Sequence, residues 1–377
     1  MHNPETLLRD LVAINSINPD LVSGAVGEAE IAAFIARWLE NAGLEVHFHE
    51  SAPNRPNVVA IARGRGKGKT LLLNGHVDTV GVGGMPRAHQ PEVRAGCQYG
   101  RGAYDMKGGV AACMLAVAAA RQLPLRGDVI FSAVVDEEFA GKGTLTVVQH
   151  YRADGAIVAE PTHLQLIVAH KGFMWLEVET QGVAAHGSRP DLGVDAIVKM
   201  GPVLAGLEAL QQTLQTRPAH PRLGHASLHA SLIQGGQELS TYPERCVLSI
   251  ERRTLPGETS VSVEAEIQQI LQRQRQADPA FNAILRAGLS RAPLETAVDA
   301  AIVQAVSAAA ASVLGRPPEL AGVAYWTDAA TLWAAGIPSV LFGPSGGGAH
   351  AAVEWVELDS VTACVQIYMA TAARFCA

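Results

Sequence analysis

Four apolar, β-rich runs in this sequence end in residues that bind metals or move protons. Ile130-Phe131-Ser132-Ala133-Val134-Val135 ends in Asp136-Glu137-Glu138, and Leu71-Leu72-Leu73-Asn74-Gly75 ends in His76-Val77-Asp78. Ala156-Ile157-Val158-Ala159 ends in Glu160, and Ser339-Val340-Leu341-Phe342 leads through a glycine loop to His350. Adjacent carboxylates repel, so a triplet at a strand end calls for a cation or a shared proton. One acidic triplet alone is more simply a solvated corner. Open α/β sheets, however, place their sites beyond the carboxyl ends of strands. Four such ends carrying His, Glu-Glu, Glu and His point to one metal site. Asp105, in Gly102-Ala103-Tyr104-Asp105-Met106-Lys107-Gly108-Gly109, opens an Ala-rich helix that is expected to run to about Gln122. It reads either as that helix's N-cap or as a carboxylate bridging two cations. The glycines around it, which let backbone pack close, favour the bridge.

His76, Asp105, Glu138, Glu160 and His350 form a donor set of imidazoles and carboxylates without thiolate. Such a set suits Zn2+, with Co2+ or Mn2+ as alternatives. Two divalent ions bridged by one carboxylate need about five protein ligands plus water. Asp78, two residues beyond His76, is placed to accept the imidazole N–H. Glu137 is then the spare carboxylate. Beside a metal-bound water it serves as general base and afterwards passes the proton to a leaving nitrogen.

The periodicity predicts the elements that hold these residues. Helices are expected over Pro4 to Ile14, Glu28 to Ala42 and Gly143 to Tyr151, and strands over Leu44 to His49 and Asn57 to Ala62. Together with the four runs above they alternate as strand, helix, strand, the pattern of a mostly parallel sheet with helices on both faces. From about Gly172 the pattern changes to strand, helix, strand, strand, helix, strand, ending near Arg286. That order matches a small ferredoxin-like α+β insert. The expected organisation is a catalytic domain of residues 1–171 and 290–377, interrupted by a lid or dimerisation domain of residues 172–289.

Of 377 residues, 48% are hydrophobic and 17% charged, enough for more than one ordinary core. A net charge of −7 shows no basic bias, which argues against nucleic acid as the main partner. Cys97, Cys113, Cys246, Cys364 and Cys376 are scattered, without a C-x-x-C pair, so neither a disulfide framework nor a thiolate zinc site is indicated. Residues 1–12 read as an amphipathic first helix and not a signal peptide, and no run is expected to span a bilayer. The expected setting is cytoplasmic, without a membrane partner.

His76-Val77-Asp78-Thr79-Val80, Gly102 to Gly109, Asp136-Glu137-Glu138, Ala159-Glu160-Pro161-Thr162 and the late glycine loop with His350 together resemble the M20 metallopeptidase family. This is the group of acetylornithine deacetylases, succinyl-diaminopimelate desuccinylases, aminoacylases and glutamate carboxypeptidases. The resemblance spans essentially the whole chain, with the motifs in order. It implies that His76 and Glu160 hold one zinc ion, Glu138 and His350 the other, and that Asp105 bridges them, with Glu137 as base. It also implies that His186, in Ala184-Ala185-His186-Gly187-Ser188, steadies the oxyanion. Arg253, in Glu251-Arg252-Arg253-Thr254, would grip the substrate carboxylate, and the backbone N–H groups around Gly343 and Ser345 would help bind it. Without the motifs, His186 and Arg253 are ordinary surface residues. The chain departs from many relatives at Ser240-Thr241, where an asparagine is common, and at Ala88-His89-Gln90-Pro91, where a tryptophan is common.

The implied function is removal of an acyl group from an N-acyl amino acid, acetylornithine deacetylase-like, by a homodimer joined through the lid. Desuccinylation, and glutamate carboxypeptidase or dipeptidase cleavage of a short peptide, are the alternatives. Two other motifs fail on context. Gly343-Pro344-Ser345-Gly346-Gly347 satisfies G-x-S-x-G, but a nucleophile elbow needs a helix straight after the serine. Gly68-Lys69-Thr70 suggests a phosphate loop, but it lacks the opening glycine and precedes a strand. A binding protein on a decayed peptidase fold would have lost a ligand or the base, and all six positions are present.

Overall fold

The computed structural model describes residues 3–377. They form two compact units: residues up to Ala169 with Glu295–Gly322 and Thr327–Ala377, and His170–Leu294 with Val323–Trp326.

In the first unit the strands Val129–Val134, Leu71–His76, Gly155–Val158 and Ser339–Leu341 lie side by side in that order, each parallel to the next. Every residue in them is buried, as expected of strands covered on both faces. Parallel direction is what assembles the site. All four chains leave the sheet at one edge, with His76 in register with Val134 and Asn74 with Val158. Antiparallel strands Arg55–Ala62 and Glu45–Ala52 extend the sheet beyond Val129–Val134, and Leu166–His170 pairs with Ser339–Leu341 on the other side.

The helix Gly108–Ala120 is buried on almost all faces and contacts the helix Leu358–Phe375, so it is apolar all round rather than amphipathic. Contrary to the expectation from sequence, Ala103–Ala120 is long and apolar enough to cross a membrane; 83% of it is buried inside the protein, which makes it a core helix. Asp105 is not its N-cap. Ala103–Lys107 forms a separate π turn in which Asp105 (φ −115°, ψ 95°) is non-helical, and the helix proper is preceded by Lys107. Periodicity also missed the strand Leu166–His170 and the short strands Cys97–Tyr99 and Trp355–Glu357, which pair with each other. Three residues are too few to show a period.

The second unit runs Gly172–Gln181, Ala196–Thr216, Ser227–Gly235, Arg245–Thr254, Ser260–Ala277, Asn282–Arg291, that is, strand, helix, strand, strand, helix, strand. Its sheet order is Ser227–Gly235, Arg245–Thr254, Gly172–Gln181, Asn282–Arg291, all antiparallel, the ferredoxin-like arrangement. Val203, Leu207, Ile267 and Leu271 of the helices share a core with Leu176, Val178, Leu248 and Ile250 of the strands. Asp195 caps one helix through Val198 N–H, and Thr259 and Ser262 form a capping box on the other.

Two glycines hold the segment that carries Glu160. A Cβ on Gly109 would lie 2.0 Å from the Ala159 carbonyl oxygen, and one on Gly343 would lie 2.1 Å from that of Glu160. Backbone therefore closes on this segment from the helix and from the late loop. Gly109→Ala is expected to destabilise the protein by about 2 kcal/mol or more, since a rigid carbonyl must move to admit the methyl. Thermal unfolding of the variant checks this; an unchanged midpoint would show that the segment yields freely.

Candidate metal centre

The strand-end residues of the first unit come together as a cluster. Asp105 divides it. Its Oδ1 lies 3.2 Å from His76 Nε2, and its Oδ2 lies 3.4 Å from His350 Nε2. Each histidine has a second carboxylate of its own: Glu160 Oε1 is 3.8 Å from His76 Nε2, and Glu138 Oε2 is 3.0 Å from His350 Nε2. Ligand atoms held tetrahedrally at about 2.0–2.2 Å from one ion are about 3.3–3.6 Å apart. The observed spacings bracket that range, so the donor set fits two divalent ions sharing Asp105. Glu137 offers an oxygen within 4.8 Å of ligand atoms of both His76 and Glu160, outside the two histidine–carboxylate pairs.

Desolvation and like charge set the electrostatics. Burial, reinforced by Glu160, raises Glu137 well above the ordinary carboxyl range. Burial does the same to Glu160, and Asp105 and Glu138 add to it against the lowering effect of His76. Asp105 is also desolvated, yet its hydrogen bonds to His350 and His76 hold it below the usual range. His350 is pushed up to about 10 by Asp105 and Glu138. Burial pulls His76 down, but Asp105, Glu160 and Glu137 outweigh it and leave it well above an ordinary imidazole. Without metal, protons supply the positive charge that the cluster demands.

The support behind the cluster differs from the expected one. His76 Nδ1 is 3.0 Å from the Asp78 carbonyl oxygen and 3.6 Å from its carboxylate, so the main chain takes the ring hydrogen. A carbonyl only accepts, so Nδ1 keeps its hydrogen, and the ring's second proton, on Nε2, is the one a metal would displace. The Asp78 carboxylate instead accepts Glu137 and Glu138 N–H, each at 3.2 Å, and Asn18 Nδ2 at 2.8 Å. Arg55 stands behind it, bonded to Asn18 Oδ1, Asp136 Oδ1 and Glu28. Asp78 thus orients the Glu137-Glu138 backbone. Sequence reasoning passed over Asn18, Glu28 and Arg55, and also Asp328. Asp328 is buried, accepts from Thr144 Oγ1 at 2.8 Å, and helps raise Glu137 and Glu160.

The loop after Ser339–Leu341 also departs from expectation. Gly343 N–H is donated to Thr162 Oγ1 and Ser345 N–H to Ser360 Oγ, so both groups expected to meet a substrate carboxylate are committed within the protein. A strand, Gly346–Gly347, follows Ser345, and the nucleophile-elbow reading has no helix. In the second unit, His186 is exposed, and its Nδ1 lies 3.2 Å from Ser188 N–H and 2.8 Å from Ser188 Oγ. A main-chain N–H only donates, so Nδ1 accepts and Nε2 carries the hydrogen. Arg253 is half-buried, with Nε on Glu251 Oε1 at 2.7 Å and its guanidinium 5.5 Å from the Phe173 ring centre.

Comparison with known proteins gives a consistent picture. The sequence profile of peptidase family M20/M25/M40 matches residues 72–374. The chain is 31% identical over 383 residues to acetylornithine deacetylase of Myxococcus xanthus, covering 98% of this chain and 96% of that protein. It is 29% identical to N-formyl-4-amino-5-aminomethyl-2-methylpyrimidine deformylase of Bacillus subtilis (strain 168), over 90% and 87% of the two chains. Among solved structures, a tripeptidase of Staphylococcus aureus superposes with a TM-score of 0.82 at 19% identity, covering 99% and 98%. A Bacillus subtilis protein described as a dinuclear metal-binding peptidase of the M20 family superposes at 0.77, with 17% identity over 99% and 97%.

The raised histidines set a pH dependence for protein freed of metal by a chelator. His350 has an ordinary value of 6.5 and about 10 in the fold. Its contribution to stability is fully present below 6.5 and lost as pH rises through about 10. The melting temperature of the chelated protein should therefore fall across that window. Metal-loaded protein, with ions in place of protons, should not show this fall. Parallel melting curves for the two forms would rule out the cluster as the cause.

Proposed function

This chain belongs to peptidase family M20/M25/M40, a family of metal-dependent peptidases and deacylases, and we propose that it removes the acyl group from an N-acyl amino acid at a centre of two divalent ions. The observation that carries this reading is the division of Asp105, one carboxylate oxygen toward each histidine, with a second carboxylate beside each. His76, Glu160 and Asp105 would hold one ion, and His350, Glu138 and Asp105 the other. The set of hard and borderline donors suits Zn2+, Co2+ or Mn2+.

When bound, the ions polarise the scissile carbonyl and acidify the attacking water. The remaining steps fall to the protein. Glu137, set apart from the two ligand pairs, takes the proton from the attacking water and delivers it to the leaving amine nitrogen. Burial raises its affinity for that proton, and neighbouring cations would lower it. Asp78 holds the Glu137 main chain in place. For His186 and Arg253 the proposal rests on the motifs around them. His186 would supply an N–H donor to the developing oxyanion, and Arg253 a guanidinium for the substrate carboxylate.

The acetyl group of an acetylornithine-type substrate is the first reading, from the deacetylase likeness. An N-formyl amide is the second, from the deformylase likeness. A panel of N-acetyl, N-formyl, N-succinyl, glutamyl and dipeptide substrates, with and without chelator, separates these. Turnover should be confined to the N-acyl class and be abolished by the chelator. Glu137→Gln should lower kcat by about 10²–10⁴-fold while both ions stay bound. Wild-type turnover in that variant would remove Glu137 from the mechanism.

The proposal includes a homodimer formed through the second unit. Ser227–Gly235 is one of the two outer strands of its sheet, with Leu232 67% and Ile233 52% exposed, an edge that pairing with a second copy would cover. Light scattering should give twice the chain mass, and Leu232→Lys should shift it toward the single chain. A monomeric wild type would exclude this.

A further inference from the structure

Four residues after His350 stands Glu354, 1% exposed. Its Oε1 accepts the N–H groups of Tyr104 and Asp105, each at 3.0 Å; its Oε2 accepts Gly102 N–H at 3.0 Å and Arg101 Nη1 at 2.7 Å. Its own carbonyl accepts Gly100 N–H at 3.2 Å. Arg101, also 1% exposed, spends its other donors on main-chain carbonyls. Nε reaches Gly81 at 3.1 Å, and Nη2 reaches Val82 at 3.3 Å and Ala351 at 3.0 Å. One buried ion pair therefore ties together the segment after Asp78, the turn carrying Asp105 and the loop carrying His350.

Asp105 leaves the helical path inside a π turn (φ −115°, ψ 95°), so its N–H has no helical partner and finds its acceptor in Glu354. His350 sits at φ +62°, a left-handed conformation that few residues with a side chain adopt. The next carbonyl, that of Ala351, is held by Arg101. Conformations of this kind persist only where surrounding contacts over-determine them.

We propose that Glu354 and Arg101 are positioning residues that set the spacing of the two ion sites, by fixing Asp105 between His76 and His350. This rests on the reading of Asp105 and His350 as metal ligands. A carboxylate is needed because both oxygens must accept from main-chain N–H groups. Glutamine would turn a donor toward one of those pairs whichever way it faced. A guanidinium is needed because its planar fork serves Glu354 and three carbonyls at once, which a single ammonium cannot do.

The test titrates metal-free protein with Zn2+ against a chromophoric chelator, records the visible absorption of the Co2+-loaded form, and measures kcat and KM. Wild type should bind two ions. Glu354→Gln should weaken at least one of them by about 10–100-fold, change the Co2+ spectrum, and lower kcat with KM altered less than about threefold. Arg101→Lys leaves the carboxylate on Asp105 and releases Ala351. It should weaken one ion and spare the other, and it carries the test if the first variant does not fold. Variants that melt lower but bind both ions with wild-type affinity and spectrum would show a merely structural pair and overturn the proposal. Fewer than two ions in wild type would instead overturn the dinuclear reading, and this proposal with it.

Discussion

Carboxylates brought together out of water cannot all be charged unless something positive lies among them. At an effective dielectric constant of 20, two such charges 4 Å apart repel by about 4 kcal/mol. Among the described residues, Glu137, Glu138, Glu160 and Asp105 stand near one another at the edge of a sheet, together with the imidazoles of His76 and His350. Burial pushes the glutamates toward holding protons, and the repulsion that two protonated histidines cannot neutralise adds to it. Two divalent ions would match the charge. The parallel strands, the glycine contacts and the buried ion pairs all serve to hold this otherwise repulsive group in place.

Two residues of this edge adopt a left-handed backbone conformation. Asp136, just before Glu137, has φ +69°, and His350 has φ +62°. Both are tied down by buried arginines, Asp136 through Arg55 and the His350 loop through Arg101. Each arginine in turn faces a buried glutamate, Glu28 or Glu354. A buried pair of this kind gives little net stability, yet removing one partner leaves a charge without compensation. Such a pair therefore serves geometry better than it serves stability. Two arginine–glutamate pairs on the two arms of the site have the same design: a charged group of fixed shape bonded to several loops at once.

How much of this was legible in the sequence depended on how local the signal was. The residues of the central cluster stand at strand ends and inside a glycine-flanked turn, where an apolar run followed by a ligand-type side chain is visible in a few residues. The ferredoxin-like insert was legible because its strands and helices are long enough to show their periods. Glu354 was not, since its partner Arg101 is 253 positions away, and nothing in Ala351-Ala352-Val353-Glu354 marks a buried carboxylate. Arg55 and Asn18 were hidden for the same reason, and so was Asp328, whose partner Thr144 is 184 positions away. Misreadings arose where hydrogen-bond partners decide the role. The Asp78 carboxylate reads as the partner of the His76 ring until the Asp78 carbonyl is found to take its hydrogen. The N–H groups of Gly343 and Ser345 read as available until Thr162 and Ser360 are found beside them.

Two histidines show how such partners assign chemistry to identical side chains. His76 gives its Nδ1 hydrogen to the carbonyl of Asp78, so that Nε2, which carries the ring's second proton toward Asp105 and Glu160, is the nitrogen a metal would take. His186 receives a hydrogen bond at Nδ1 from the Ser188 main chain and so keeps its hydrogen on an exposed Nε2, the form in which imidazole donates to an oxyanion. In both cases the determining partner lies two residues further along the chain, and it is a backbone group whose polarity no mutation can reverse. A carbonyl two residues on leaves Nε2 free to exchange its proton for a metal, and an N–H two residues on keeps the hydrogen on Nε2. The opposite tautomers are therefore written into local turn geometry, and the two units can each preset their histidine without reference to the other.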